Sequence, residues 1–288
     1  MKHEFCGAFN ALLAKSNIEY ASAVPFSACR VVRGDKLRRV GLEHTAKSVL
    51  VLLSPYFVDD AKDPPISRYA ISKDYHLYFN ALFSDMCTAL GALFPKKHFC
   101  GFADNSPIDE RHAAAIAGLG VLGDNGLLLN EKYGSYVFIG EIISDLDWED
   151  WYEIPPSTAT HAIQACLHCG ACSRVCPMQE KGGNPFGIAE CLSSVSQKKR
   201  LQSDAEAEYI RHYRAGWGCD RCQTVCPYNK NAKETPISFF KEDRMPYPTA
   251  LDIRQMPDET FAQRAFAWRG RETVIRNLQM LENKTEEN

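Results

Sequence analysis

Eight of the chain's 12 cysteines fall between Cys166 and Cys226, and no other feature restricts the fold as strongly. The stretch "CLHCGACSRVCP" sets Cys166, Cys169, Cys172 and Cys176 at the spacing C-x2-C-x2-C-x3-C-P. In two-cluster ferredoxins such a run gives its first three thiolates to one four-iron cluster and its fourth to the other. A partner run is therefore required. "GCDRCQTVCP" supplies Cys219, Cys222 and Cys226 but has no leading cysteine. Cys191 is the remaining cysteine of the window, and the count closes if it takes that place across an inserted helical segment. One [4Fe-4S] cluster would then use Cys166, Cys169, Cys172 and Cys226, and the other Cys176, Cys191, Cys219 and Cys222. Zinc also favours C-x2-C pairs. It has no use for a third cysteine two residues on, or for C-P endings on both runs, so a zinc-bound structural module is disfavoured.

With 288 residues there is room for a large domain and a smaller one. A hydrophobic content of 45%, a charged content of 24% and a net charge of -3 exclude disordered and collagen-like classes, and give no general bias toward nucleic acid or membrane. The N-terminus has no apolar signal region, and runs such as "SVLVLL" are too short to cross a bilayer. A cytoplasmic protein without a membrane partner is expected. In that setting crowded cysteines mean metal or redox chemistry rather than a disulfide framework. The scattered Cys6, Cys29, Cys87 and Cys100 read as small buried hydrophobes.

The expected fold class is α+β, with a mixed α/β domain over residues 1–155, a ferredoxin-like two-cluster domain over 156–231 and a helical tail over 232–288. "KSVLVLLSP" (47–55) reads as a buried strand, and residues 72–94 carry apolar side chains at helical spacing. "SPIDERHAAAIAGLG" (106–120) predicts a helix capped by Ser106, with Pro107 in its first turn and Gly118 at its end. "YGSYVFIGEIIS" (133–144) has strand composition. Pro155-Pro156 marks a linker, the tail predicts one or two helices, and the last residues should fray.

"GLGVLG" (118–123) fits G-x-G-x-x-G, and Glu141 follows at a distance suited to a ribose. The dinucleotide fingerprint needs a strand before its glycines and a helix after them. Here the helix comes first, which argues against a nicotinamide site. The glycines still predict close backbone approach, to a neighbouring strand or to a flat ligand.

Taken with "KSVLVLLSPYF", "SRYAISKDYH", "ADNSPIDERHAAAIAGLGVLGDNGLLLNEKYGSYVFIGEI" and "ETVIRNLQML", both cysteine runs resemble the epoxyqueuosine reductase family, cobalamin-dependent iron–sulfur enzymes of tRNA modification related to reductive dehalogenases. The resemblance implies that the first domain binds cobalamin. It places the pocket around Tyr69, Tyr75, His76, Gly118, Gly120, Gly123, Asn125 and Ser135. "DYHLYF" departs from the corrinoid motif D-x-H-x-x-G at the glycine, so His76 is not expected to ligate cobalt, and Ser72 stands where the family pattern has glycine.

The mechanism implied passes single electrons from the clusters to cobalt and from there to a strained epoxide carbon, with the cofactor carrying the hard chemistry. The resemblance assigns Asp104 of "ADNSP" as the acid for the departing oxygen, its carboxyl kept protonated by burial. Read from the residues alone, Asp104 is an Asx-turn residue ahead of a helix. Longer family members continue into a helical-repeat domain that helps hold tRNA, whereas this chain ends at Asn288, and its local basic groups include Lys198, Lys199, Arg200, Arg269, Arg271 and Arg276. Three outcomes stay open: reduction of epoxyqueuosine in tRNA, reduction of another epoxide or an organohalide, and electron transfer without a substrate. A low-potential donor of flavodoxin or ferredoxin type is the expected partner, with tRNA as a further one.

Overall fold

The computed structural model describes residues 2–151, 163–180 and 191–282. The expected linker at Pro155-Pro156, the segment expected to precede Cys191 and the expected frayed end lie outside the described residues. The chain divides into two compact units, each drawn from separate stretches: Met1–Pro55, His76–Gly123 and Leu127–Leu167 in the first, and Tyr56–Tyr75, Asp124–Gly126 and His168–Asn288 in the second.

The first unit is built on a four-stranded antiparallel sheet in the order β1-β2-β6-β3, from β1 (Tyr20–Pro25), β2 (Ser48–Pro55), β3 (Phe99–Ala103) and β6 (Val137–Ser144). β2 is buried along its whole length, as its unbroken apolar run predicts for a central strand covered on both faces. One face meets α3 (Tyr75–Leu93), whose Phe79 ring sits where a Cβ on Gly140 would be, only 2.4 Å away. The other face buries Val49, Val51 and Leu53 with Ala113 and Ala114 of α4 (Glu110–Ile116) and Leu37 of α2 (Gly34–Arg39). α1 (Lys2–Lys15) precedes β1, and a two-stranded hairpin of β4 (Val121–Leu122) and β5 (Leu128–Leu129) follows α4.

One expected boundary is corrected. α4 is capped by Asp109, whose side chain accepts from the His112 amide, and not by Ser106. Ser106 is drawn away by a tertiary partner, described below. Gly118 does follow the helix end, at φ +73°.

In the second unit the two cysteine runs pass into short helices, α5 (Ala171–Arg174) and α9 (Arg221–Thr224), each followed by Val-Cys-Pro. α6 (Pro177–Glu180), α7 (Leu192–Ser196) and α8 (Asp204–Tyr213) lie between them. The tail forms three helices where one or two were expected: α10 (Ala250–Gln255), α11 (Asp258–Ala262) and α12 (Arg271–Glu282). Pro257 precedes α11, and Gly270, at φ +90°, precedes α12. These breaks let α12 bury Val274, Ile275 and Leu278 in a core shared with Trp217, Ile210, Ile253 and Phe266.

Residues 56–75 thread through this core, with the Ser67 amide donating to the Trp217 carbonyl at 2.6 Å and Asp74 to Gln263 at 2.7 Å. Asn277, fully buried, donates from its amide to the carbonyls of Ser196 at 2.6 Å and Gly216 at 2.9 Å. One side chain of the tail thereby fixes the end of α7 and the approach to Cys219.

Candidate redox and acid sites

Burial comes first in setting the state of two thiols in the second unit. It pushes both Cys219 and Cys222 up to about 12, with the charges of Asp220 and Cys191 adding to the rise at each and that of Cys219 adding at Cys222. The Tyr209 hydroxyl is raised by burial and, after that, by Cys176, Cys191 and Cys219. Cys191, Cys219 and Cys222 therefore lie within electrostatic reach of one another, and Cys176 joins Cys191 and Cys219 around Tyr209. No cation of the protein pairs with this group among the described residues beyond a weak influence of Arg221 on Cys219. Four clustered thiols without a counter-charge suit a positively charged iron core, which removes their protons and their mutual repulsion together.

Cys169, Cys172 and Cys226 sit at the corresponding places of the two runs, Cys169 exposed and the others half-buried. Cys166 falls in the closing stretch of the first unit, two residues before the second resumes at His168. Sequence reading passed over two contacts beside these runs. The Asn125 side chain hydrogen-bonds the Cys222 thiol, and His168 Nδ1 lies 2.8 Å from Asp124 Oδ1. Asp220, between Cys219 and Cys222, accepts from the Ser67 hydroxyl and, at 2.6 Å, from the Arg68 amide, which ties residues 56–75 to the second run.

Asp104 lies on the loop after β3 with φ +57°, a left-handed conformation that aspartate tolerates better than most residues. Its side chain is 61% exposed, so the protein itself does not supply the burial expected for it. His76 Nε2, on α3, stands 4.0 Å from its carboxylate. The loop is anchored from outside, where Lys36 donates to the Asn105 carbonyl at 2.7 Å and Arg33 to the Ser106 carbonyl at 3.0 Å.

Behind it lies an acid group that sequence reading did not assemble. The Ser106 hydroxyl donates to Glu141 Oε2 and accepts from the Ile108 amide at 3.3 Å. Glu141 is 0% exposed, and burial holds its carboxyl well above the usual range. Burial, then the charge of Asp104, lifts Glu110 to about 7. Glu141 had been placed only by its distance from the glycines; it is a core residue of the sheet, which removes it from any ribose contact.

Other expected pocket residues have protein neighbours. A Cβ on Gly120 would stand 2.5 Å from the Leu129 carbonyl oxygen, so its close approach is to the neighbouring strand. The Gly123 amide donates to Leu127 at 2.9 Å within the hairpin. The Tyr69 hydroxyl accepts from Trp217 at 2.8 Å, and its ring meets Tyr75 edge-on at 6.4 Å. Ser135 is buried. Among the basic groups, Arg276 donates to the carbonyls of Lys198 and Lys199, and Lys198 pairs with Glu206 at 2.6 Å.

Residues 162–229 match the family model described as 4Fe-4S double cluster binding domain. Similar proteins are epoxyqueuosine reductases. That of Synechocystis is 31% identical over 68% of this chain and 68% of its own length, and that of Pseudomonas aeruginosa 33% identical over 61% and 47%. That of Lactococcus garvieae is 28% identical over 74% and 59%. The chain thus spans about half to three fifths of the length of several of the relatives it matches. Among solved structures, the epoxyqueuosine reductase of Streptococcus thermophilus superposes with a TM-score of 0.74 at 21% identity, covering 97% of this chain and 81% of that one. An epoxyqueuosine reductase bound to an epoxyqueuosine-modified tRNA-Tyr stem loop does so with 0.71 at 20%, covering 98% and 81%. The fold is shared with these structures, no described helix is long and apolar enough to cross a membrane, and by sequence the chain belongs to the epoxyqueuosine reductase family.

Proposed function

We propose that this chain is a cytoplasmic, cobalamin-dependent iron–sulfur reductase that converts epoxyqueuosine in tRNA to queuosine, drawing electrons from a low-potential donor of flavodoxin or ferredoxin type. The observation that carries this reading is the gathering of Cys176, Cys191, Cys219 and Cys222 within a matched double-cluster segment. These four would hold one [4Fe-4S] cluster, and Cys166, Cys169, Cys172 and Cys226 the other. Crossing of ligands between the runs would keep the clusters within fast electron-transfer range of each other.

Bound cobalamin would supply the reducible centre that acts on the epoxide carbon. Of the residues expected to line its pocket, His76 and the acid Asp104 present exposed polar groups on the first unit, whereas Gly120 and Tyr69 have protein partners that account for them. His76 and Asp104 are thus the residues that would face the cofactor. Asp104 would give its proton to the departing oxygen once substrate covers the loop that carries it.

The test is anaerobic reconstitution with iron, sulfide and cobalamin, followed by incubation with an epoxyqueuosine stem loop and mass analysis of the nucleoside. Queuosine is expected. Asp104→Asn should bind cobalamin as before and lose about 10²–10⁴-fold in turnover. Absence of product with both clusters and cobalamin in place would refute the reading. Reduction of a simple epoxide or organohalide in its place would move the chain to a different substrate.

A further inference from the structure

Side chains alternate along β6, so Glu141 points to the same face as Ile139 and Ile143, a face otherwise packed with apolar groups. Its partners in the neighbouring strands are Val51 and Phe102. A carboxylate at such a position is disfavoured unless a cation or several donors answer it. Glu141 Oε2 receives the Ser106 hydroxyl, and among the described residues no protein donor reaches Oε1. Glu110 Oε2, at the start of α4, is likewise buried without a donor.

The titratable and charged groups around the pair are Asp104, Asp109, Arg33, Arg111 and the Cys29 thiol. Neither arginine answers Glu141. Arg33 is engaged with the Ser106 carbonyl, and Arg111 Nε lies 3.8 Å from Asp109. At Glu110 the two arginines oppose burial and the charge of Asp104 without overcoming them, and the carboxyl is left at about 7. A buried acid and a half-buried one, the second poised near neutrality, stand beside a loop that carries a third.

The proposed reaction has a use for them. Reducing an epoxide takes two electrons and two protons whichever product forms. One C–O bond breaks and a C–H and an O–H bond form for the alcohol; both C–O bonds break and oxygen leaves as water for the alkene. The electrons come one at a time from the low-potential donor through the clusters. Asp104 holds a single proton.

We propose that Glu110 and Glu141, the second joined to the Asp104 loop through Ser106, form a proton store that returns a proton to Asp104 within each turnover, a role that rests on the epoxide-reductase reading above. Asp104 gives its proton to the departing oxygen and becomes a carboxylate. Glu110 passes a proton to it and becomes ionised in turn, Asp104 delivers the second proton, and both acids refill from solvent once product leaves. The two glutamates act through Asp104 and do not touch substrate.

The experiment follows turnover of the reconstituted full chain against pH and buffer concentration, for Glu110→Gln, Glu141→Gln and Ser106→Ala, with Glu110→Asp as the conservative variant. Infrared difference spectra between acid and alkaline pH are recorded on each protein. The glutamine variants are expected to lose about tenfold or more in turnover at low buffer. They should recover with added imidazolium, a small acid that replaces the store, and Glu110→Gln should lose the limb of the pH profile near 7 shown by the unsubstituted protein; Glu110→Asp retains that limb. A carboxylic C=O band that titrates near 7 should vanish in Glu110→Gln. Ser106→Ala keeps both carboxyls and covers the case in which Glu141→Gln fails to fold. Turnover unchanged in Glu110→Gln, or a loss that neither buffer nor pH moves, overturns the store and leaves the pair a packing role. If the unsubstituted protein reduces no epoxide, proton return falls with the reaction reading. If it reduces the epoxide and shows no such band, the store alone falls.

Discussion

Replacing Glu110 by glutamine should change how the first unit's stability depends on pH, and the size of the change follows from the structure. Burial, reinforced by the charge of Asp104, moves the carboxyl from 4.5 to about 7. The native state therefore keeps a proton over a window in which the unfolded chain has released its own. Stability from this group is fully present below about pH 4.5, declines as pH rises, and is gone above about 7. A move from 4.5 to about 7 corresponds to about 3 kcal/mol across the whole window. Hydrogen exchange of the central β2 and β6 amides reports the opening free energy of this sheet directly. Between pH 5 and 7.5 the unsubstituted protein should lose about 2 kcal/mol more protection than Glu110→Gln. Glu141 adds to the same slope, since its carboxyl moves in the same direction. Parallel pH dependence in the two proteins would refute the reasoning, because it would mean that Glu110 titrates alike folded and unfolded.

Further outcomes are expected elsewhere. Cys191→Ala should leave about four irons of eight after reconstitution, and an iron content still at eight would place the ligand elsewhere. Asn277→Ala orphans the buried carbonyls of Ser196 and Gly216 and should cost about 2–4 kcal/mol of stability, read as a lowered urea midpoint of the reconstituted protein. Gly120→Ala drives a methyl group against the Leu129 carbonyl oxygen and should cost about 1–3 kcal/mol, with cobalamin binding retained if the glycine serves only the hairpin.

What could be read from the sequence was what lies close along the chain. Cluster ligands at fixed short spacings announce themselves, since C-x2-C geometry is local, and β2 is visible because a strand covered on both faces is apolar throughout. The tail's division into three helices was also written locally, in Pro257 and Gly270, and was under-read. Ser106 misled for a different reason. Both Ser106 and Asp109 are good caps, and the choice between them is made by Glu141, 35 residues away, which claims the serine hydroxyl. Nothing in a local pattern reveals a partner that only sheet register brings near.

The same limit explains why the acids were harder to find than the cysteines. The reaction proposed for this chain needs two kinds of supply, electrons and protons, and the residues proposed for them are encoded differently. Electron carriers need several thiolates on one small inorganic core, which forces ligands into tight repeats along the sequence. A proton path needs single side chains whose affinity for a proton is set by what surrounds them, and one strand position can provide that. Glu141 was visible as a charged residue breaking an otherwise apolar strand, "VFIGEIIS", a conflict between residue type and burial of the kind that marks functional positions. Its meaning depended on Val51, Phe102 and Ser106, which come from three other places in the chain. A charged residue at the centre of a predicted buried strand is therefore the sequence signal to pursue when a redox enzyme must also move protons.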